Sequence, residues 1–72
     1  MTHSEIVTNV LREFGPLSDY GIYHAAKARQ FDVTPSSIRS RRAELTKTGV
    51  VRKTTAVEST GRGRTAAVWA LA

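Results

Sequence analysis

Cysteine is absent from this sequence of 72 residues, and its absence limits both how the chain is stabilised and what it can bind. Disulfide bonds cannot support the fold, and a zinc site built on thiolates is excluded. Long apolar runs are also missing, so no segment reaches the roughly 20 residues of a membrane-spanning helix. The first residues do not combine a basic segment with an apolar one, as a signal peptide would. We therefore expect a cytoplasmic protein that has no membrane partner.

Catalytic motifs are scarce as well. The two histidines, His3 and His24, have no carboxylate or hydroxyl partner at a spacing typical of an active site. No serine lies in a nucleophile motif, and the glycines of residues 61–64 are not followed by a helix that would complete a phosphate-binding loop. A chain of this length also has little room for a deep cavity. The sequence therefore predicts a protein that is not an enzyme and needs no cofactor or metal ion.

Positive charge is in excess and unevenly distributed. The net charge is +5, but residues 1–38 contain three basic and four acidic residues, whereas residues 39–72 contain eight basic and two acidic residues. The second part therefore has a net charge of +6. A positive field concentrated in one region attracts polyanions. Composition alone leaves two alternatives open, a nucleic-acid partner and an ordinary basic surface.

The first predicted helix covers about His3–Phe14. Thr2 and Glu5 make a capping box, in which a hydroxyl and a carboxylate satisfy amides of the first turn. The helix is expected to end at Gly15 and Pro16, which do not continue a helix. Apolar residues at helical spacing predict one buried stripe, which comprises Ile6, Val7, Val10, Leu11 and Phe14.

Two more helices are predicted to follow a short extended residue, Leu17. Ser18 caps the second helix, about Asp19–Arg29. Thr34 caps the third helix, about Pro35–Thr48, in which proline suits the first position because no amide hydrogen is needed there. The residues expected to face the core from the second helix and the turn after it are Ile22, Tyr23 and Ala26, with Tyr20 and either Phe31 or Val33 as further candidates.

After Gly49 the pattern changes from helical spacing to the alternation of strands. One strand is expected from Val50–Val51 to about Glu58 and another over Thr65–Leu71, with turn-forming residues between them. These strands make a hairpin, which must pack an apolar face on the helices because a lone hairpin is marginally stable. That face is expected to contain Val51, Trp69 and Leu71, and Ala67 shares the side of Trp69 and Leu71 in the second strand. The predicted fold is a single domain over residues 1–72, mainly α with a small β-hairpin (α+β).

The third helix combines an apolar side with a side rich in arginine. Ile38 and Leu45 are seven residues apart and are expected to face the core. Small hydroxyls let a helix approach the floor of the DNA major groove, and arginine can donate two hydrogen bonds to guanine. The alternative is a solvated polar face, although such faces usually mix glutamate with lysine. The candidate contacts on this helix are Ser36, Ser37, Arg39, Ser40, Arg42 and Lys47.

The loop of residues 61–64, Gly-Arg-Gly-Arg, is a second basic feature. Arg62 and Arg64 extend from a slim tip, which can lie along a phosphate strand or enter a narrow minor groove. The alternative is a flexible hairpin loop kept soluble by its charge. In the strand before the loop, Arg52 and Lys53 point to opposite faces, so at most one of them joins the same surface.

These features resemble the winged helix-turn-helix family, particularly the small helix-turn-helix proteins encoded by actinobacterial phages and prophages. The resemblance lies in the segments Thr34–Leu45, Leu45–Val51, Gly61-Arg62 and Val68–Leu71. In that family the third helix enters the major groove and the wing contacts the flanking backbone or the minor groove. The resemblance implies a recognition helix over about residues 35–48, with contacts from Ser36, Ser37, Arg39, Ser40 and Arg42, and a wing over about residues 58–65, with contacts from Arg62 and Arg64.

The sequence departs from that family at two neighbouring positions. Many relatives have an aliphatic residue at one of positions 41 and 42, whereas both are arginine here. We therefore expect either Arg41 or Arg42 to be partly buried and paired with an acidic residue. The segment between the second and third helices is also longer than a tight turn.

The function predicted from the sequence is binding of double-stranded DNA with a preference for certain sequences. The chain would act as a small transcriptional regulator or a DNA-architecture factor, as a monomer or a weak dimer on DNA, in the host cytoplasm if it is phage-encoded. One alternative is a protein-interaction module that has the winged fold without DNA binding, since a fold does not determine a function. Another is an unusual duplex, such as left-handed DNA or double-stranded RNA.

Overall fold

The computed structural model of the chain describes residues 2–59 and 63–72. Its elements are, in order, α1 (His3–Phe14), α2 (Asp19–Ala28), α3 (Pro35–Lys47), β1 (Val51–Ser59) and β2 (Thr65–Leu71). Three helices are followed by a two-stranded antiparallel hairpin, which confirms the α+β layout and is consistent with a winged helix. α2 and α3 each end one residue earlier than expected, because Arg29 and Thr48 are their C-caps.

Each helix begins at a side-chain cap formed by residues that are close in sequence. In the capping box of α1, the Thr2 hydroxyl accepts a hydrogen bond from the Glu5 amide and the Glu5 carboxylate accepts one from the Thr2 amide. The Ser18 hydroxyl accepts a bond from an amide in the first turn of α2, and Thr34 and Ser37 make a reciprocal pair at the start of α3. These bonds satisfy amides that have no partner within the helix, and the expected helix starts are confirmed.

The hydrophobic core lies between the three helices and the hairpin. Val7, Ile22 and Ile38, one from each helix, are completely buried. Two expectations are wrong, because Phe14 is 48 % exposed and Tyr20 is 63 % exposed. Phe14 is the last residue of α1, and Tyr20, two positions before the buried Ile22, lies on the opposite side of α2. The other buried members of the core are Ile6, Val10, Leu11, Ala26, Val33 and Val51, and Phe31 packs against them.

β2 lies in the middle of a small sheet. On one side it pairs with β1, and on the other side Leu17 and Trp69 exchange two backbone hydrogen bonds of 3.0 and 2.8 Å. Leu17 is therefore extended, as predicted. Val51 is buried, and Trp69 and Leu71 pack against the core, so the predicted apolar face of the hairpin does rest on the helices.

The ladder between the two strands is interrupted by a bulge in β1. Lys53 pairs with Trp69 and the next regular pair is Val57 with Ala67, so β1 advances four residues where β2 advances two. Within the bulge, the Thr54 hydroxyl donates a hydrogen bond of 2.9 Å to a backbone carbonyl of β2. A bulge bends a strand and increases its twist. The sequence predicts a strand over this segment but no bulge, so the irregularity is a feature that only the structure reveals.

Candidate nucleic-acid interface

The side of α3 that faces away from Ile38 is lined by small and polar residues. Four of them occur at helical spacing and define what we call the α3 ridge: Ser36, Ser40, Ala43 and Lys47. With 3.6 residues per turn, these positions project from a narrow sector of the helix surface. All four are exposed, whereas Ile38 is completely buried. The inner and outer sides of α3 therefore differ sharply in burial.

The α3 ridge is slim, and its polar groups are not bound to the rest of the domain. Ser36, Ser40 and Ala43 extend no further from the backbone than a hydroxyl or a methyl group. Across residues 2–59 and 63–72, no hydrogen bond or ion pair is made by the side chains of Ser36, Ser40 or Lys47. A partner with a narrow groove can therefore approach the helix backbone closely and meet unsatisfied polar groups there.

Arg39 lies beside the α3 ridge, on the side toward α2. Its side chain is exposed and makes no ion pair with any residue that the structure describes. The same side of the helix forms a surface groove with α2, lined by Asp19, Tyr20, Tyr23, His24, Pro35 and Arg39. A guanidinium in this position is available to a ligand that occupies the ridge.

Ser37 is also on the first turn of α3, but its hydroxyl is used inside the protein. It donates a hydrogen bond of 2.9 Å to the carbonyl of Thr34 and accepts one of 3.0 Å from the amide of Thr34. The half-buried Ser37 therefore determines where α3 begins. Its part in an interface would be indirect, through the placement of Ser36 and Arg39.

Arg42 points into the domain and not along the α3 ridge. Its Nε and Nη2 atoms donate to the two carboxylate oxygens of Asp19, at 2.7 and 2.9 Å. Its guanidinium carbon lies 3.7 Å from the centroid of the Trp69 ring. The side chain is 13 % exposed, so we exclude Arg42 from the candidate interface.

Arg41 differs from its neighbour, because it is exposed and pairs with Glu44 on the helix surface. The expectation that one of the two neighbouring arginines is partly buried and bound to an acidic residue is therefore confirmed, and that residue is Arg42. Its partner Asp19 is 23 residues away in sequence. Neither residue carries a local signal that would have identified the pair.

The tip of the hairpin lies mostly outside the described residues. Gly61 and Arg62 are not among them, so the contact predicted for Arg62 stays a prediction. Arg64 is exposed just before β2 and follows Gly63, whose φ of 71° is in the left-handed region. The described part of the loop thus presents one of the two arginines predicted for the wing.

The register of the hairpin decides between Arg52 and Lys53. Residues directly opposite each other in an antiparallel pair project from the same face of the sheet. Lys53 pairs with Trp69, whose ring contacts Arg42 of α3, whereas Arg52 pairs with Ala70. Lys53 therefore projects from the sheet face that is turned to the helices, next to α3. It is the candidate site residue that the sequence could not single out, because the choice requires the register.

The acidic groups of the domain are largely occupied by partners of their own. Asp19 and Glu44 are bound to arginines of α3, and Glu13 pairs with an arginine at the end of α2. Glu5 lies in the cap of α1, where a hydrogen bond from the Thr2 backbone amide lowers the pKa of its carboxyl. The positive field around the α3 ridge is therefore opposed by few uncompensated carboxylates.

Comparison of the chain with family models, curated proteins and solved structures gave no match. Within the described ranges, no group of three or more histidine, aspartate or glutamate side chains could hold a metal ion. No helix in that part of the chain is long and apolar enough to cross a membrane. The geometry and charge of α3 and the hairpin are therefore the observations on which a function can be proposed.

Proposed function

We propose that this chain binds double-stranded DNA, with α3 in the major groove and the hairpin along the adjacent backbone or minor groove. The observation that carries the proposal is the exposed α3 ridge with two cations, Arg39 beside it and Lys47 at its end, neither paired with a described acidic residue. A slim helix face provides close approach, and the cations provide attraction to phosphates.

The dimensions of the duplex explain why small side chains matter. The major groove is about 12 Å wide, and an α-helix with its side chains is about 10–12 Å across. Short residues on the side facing the bases let the backbone of such a helix approach the base edges closely. On the α3 ridge these are Ser36, Ser40 and Ala43. Arg39 can then reach from the flank and donate two hydrogen bonds to a guanine, which would give a preference for sequence.

Contacts with phosphates would come from cations on both elements. Lys47 extends from the end of α3, Lys53 from the inner face of the hairpin and Arg64 from the base of the loop. With Arg62 as a fourth contact, the logarithm of the binding constant should fall with the logarithm of salt concentration with a slope of about −4. Such contacts fix the position of the protein but carry no sequence information.

A small domain of this kind suits a transcriptional regulator or a DNA-architecture factor. We propose that it acts in the cytoplasm as a monomer, or as a weak dimer on adjacent sites. The resemblance to small phage and prophage proteins supports a role in host or phage transcription.

The proposal is tested by selecting bound duplexes from a random pool and then titrating the best one at several salt concentrations. Arg39→Ala should reduce the preference for the selected duplex over a scrambled one, because a guanine contact carries about 1–3 kcal/mol of discrimination. Arg12→Ala is the matched control. It removes the same charge from the exposed surface of α1, where Arg12 bonds to Asn9, and should leave both affinities nearly unchanged.

Two results would count against DNA binding: absence of binding at low salt, and a salt slope near zero. In either case the protein-interaction module becomes the better explanation, and capture from nuclease-treated lysate would identify the partner. Equal loss in the Arg39 and Arg12 variants would instead contradict the base contact proposed for Arg39. Competition with left-handed DNA and double-stranded RNA decides whether the ordinary duplex is the preferred ligand.

A further inference from the structure

We propose that Asp19, Arg42 and Trp69 form an internal cluster that fixes the orientation of α3, and that sequence discrimination depends on this cluster although none of its members touches DNA. The inference rests on the proposed function and extends it to residues behind the binding surface. Arg42 is a positioning residue in this view, because it acts through Arg39 and the α3 ridge.

The cluster joins three separate elements at one point. Asp19 is the first residue of α2, Arg42 lies in the middle of α3 and Trp69 lies in β2. Two hydrogen bonds of 2.7 and 2.9 Å hold the edge of the guanidinium, and the indole ring lies against its face at 3.7 Å. Planar, two-point pairing of this kind is directional, so a small rotation of α3 would lengthen one bond or lift the guanidinium from the ring.

The apolar contacts of α3 cannot provide the same restraint. Ile38 is its one completely buried residue, and Leu45, two turns later, is only partly buried. Contacts of this type depend on buried area and not on direction, so two residues in line along a helix leave it able to roll. Arg42 lies between them on the side toward α2. It therefore restricts rotation about the helix axis, which is the motion that would displace Arg39 and the ridge.

The cluster also keeps Asp19 away from Arg39. Both side chains line the groove between α2 and α3. While the Asp19 carboxylate is held by Arg42, the guanidinium of Arg39 has no ion-pair partner among the described residues. If Arg42 were removed, the carboxylate would be left without its partner and would attract Arg39. That new pair would withdraw a base-contacting group and place negative charge beside the DNA.

The test uses the full chain and two duplexes of equal length, the selected sequence and a scrambled one. Arg42→Lys preserves the charge but lacks the planar fork, Arg42→Met removes the charge, and the double variant Asp19→Asn with Arg42→Met also removes the unpaired carboxylate. The readouts are the affinity ratio between the two duplexes and the fluorescence of Trp69. Trp69 is the single tryptophan of the chain, so its emission reports the cluster directly.

In Arg42→Lys, the affinity for the scrambled duplex should stay within about twofold while the affinity ratio falls by about tenfold, since total charge is unchanged and only orientation is lost. The emission of Trp69 should change in the same variant. Arg42→Met should lose more affinity for both duplexes, and the double variant should recover part of that loss. Arg39→Ala should lower the ratio without changing the emission of Trp69.

Circular dichroism confirms that each variant is folded, and Asp19→Asn alone replaces Arg42→Met if the latter is not. An unchanged affinity ratio in Arg42→Lys refutes the proposal, whether both affinities are retained or both fall equally, since an equal fall in that variant would indicate general destabilisation. Failure of the double variant to recover affinity refutes the part played by Asp19. If the unmodified chain binds neither duplex, the proposed function itself fails. If the unmodified chain and the Arg42→Lys variant prefer the selected duplex to the same degree, DNA binding stands and only the role of the cluster is overturned.

Discussion

The charged residues before α3 and those from α3 onward are used in different ways. In α1 and α2 the carboxylates are bound within the domain, where Glu5 closes a cap, Glu13 pairs with Arg29 and Asp19 binds Arg42. In α3 and β1, four exposed cations make no ion pair with any described residue: Arg39, Lys47, Arg52 and Lys53. The carboxylates of α1 and α2 stabilise the fold, whereas these four cations of α3 and β1 are available to a partner.

This difference shows why the net charge of a segment is an incomplete guide to a binding surface. Residues 39–72 have a net charge of +6, but Arg41 and Arg42 already have carboxylate partners. The two pairs are not equivalent. Arg41 and Glu44 are 44 % and 60 % exposed, whereas Arg42 and Asp19 are 13 % and 27 % exposed. Only the second pair is shielded enough from water to contribute much to stability.

The largest effect should separate the inner side of α3 from its outer side. Ile38→Ala removes three buried carbon atoms and should lower the free energy of unfolding by about 3 kcal/mol. Ser40→Ala, on the α3 ridge, should change it by less than about 0.5 kcal/mol, because alanine favours a helix and nothing buried is lost. Urea denaturation followed by circular dichroism measures both values. Similar losses of unfolding free energy in the two variants would contradict the assignment of Ile38 to the buried side of α3 and of Ser40 to its exposed side.

A second comparison uses the two neighbouring arginines. Arg42→Met should destabilise the domain by about 2 kcal/mol, because it breaks two charge-assisted hydrogen bonds and a cation–π contact in a shielded place. Arg41→Met removes an exposed ion pair and should cost less than about 0.5 kcal/mol. The same denaturation experiment applies. A larger loss of stability in Arg41→Met than in Arg42→Met would contradict the pairing of Arg42 with Asp19 of α2.

The local features of this domain could be predicted from the sequence, and the non-local ones could not. The caps at Thr2, Ser18 and Thr34 depend on residues three positions away, and all three lie where they were expected. The assignment of Arg42 to the interior depends on Asp19, 23 residues earlier. Positions 41 and 42 lie at similar angles on either side of Ile38 around the helix axis, so helical spacing alone could not tell which of the two arginines is buried.

The candidate site was predictable to a similar extent. Ser36, Arg39, Ser40 and Lys47 are exposed as expected, since their positions follow from the helical repeat and the cap. The placement of Lys53 on the sheet face turned to the helices was not predictable, because it depends on the pairing with Trp69 and on a bulge in which a threonine hydroxyl bonds to β2. Registers and bulges are set by contacts between strands and leave little trace in either strand alone.

The hairpin offers a comparison between its two faces. Lys53→Ala should weaken binding to every duplex by about fivefold and reduce the salt slope by about 1, as expected for one lost phosphate contact. Arg52→Ala removes the same charge from the opposite face and should weaken binding by less than about twofold, through long-range attraction alone. Titrations at two salt concentrations measure both. Equal effects would mean that the face turned to the helices has no special part in binding.

The smallest effect concerns the cap of α1 and its dependence on pH. The hydrogen bonds from Thr2 lower the pKa of the Glu5 carboxyl in the folded chain below its ordinary value of 4.5. A group with a lowered folded pKa contributes its full stability above the ordinary value and loses it as the pH falls through the lowered one. Glu5→Gln cannot ionise and lacks this contribution. We therefore expect the unmodified chain to be slightly more stable than the variant at neutral pH, and the two stabilities to converge in acid. Urea titrations at a series of pH values measure both. If the difference in the free energy of unfolding between the two proteins stayed constant or grew below pH 4.5, the charge of the Glu5 carboxylate would not be what stabilises the cap.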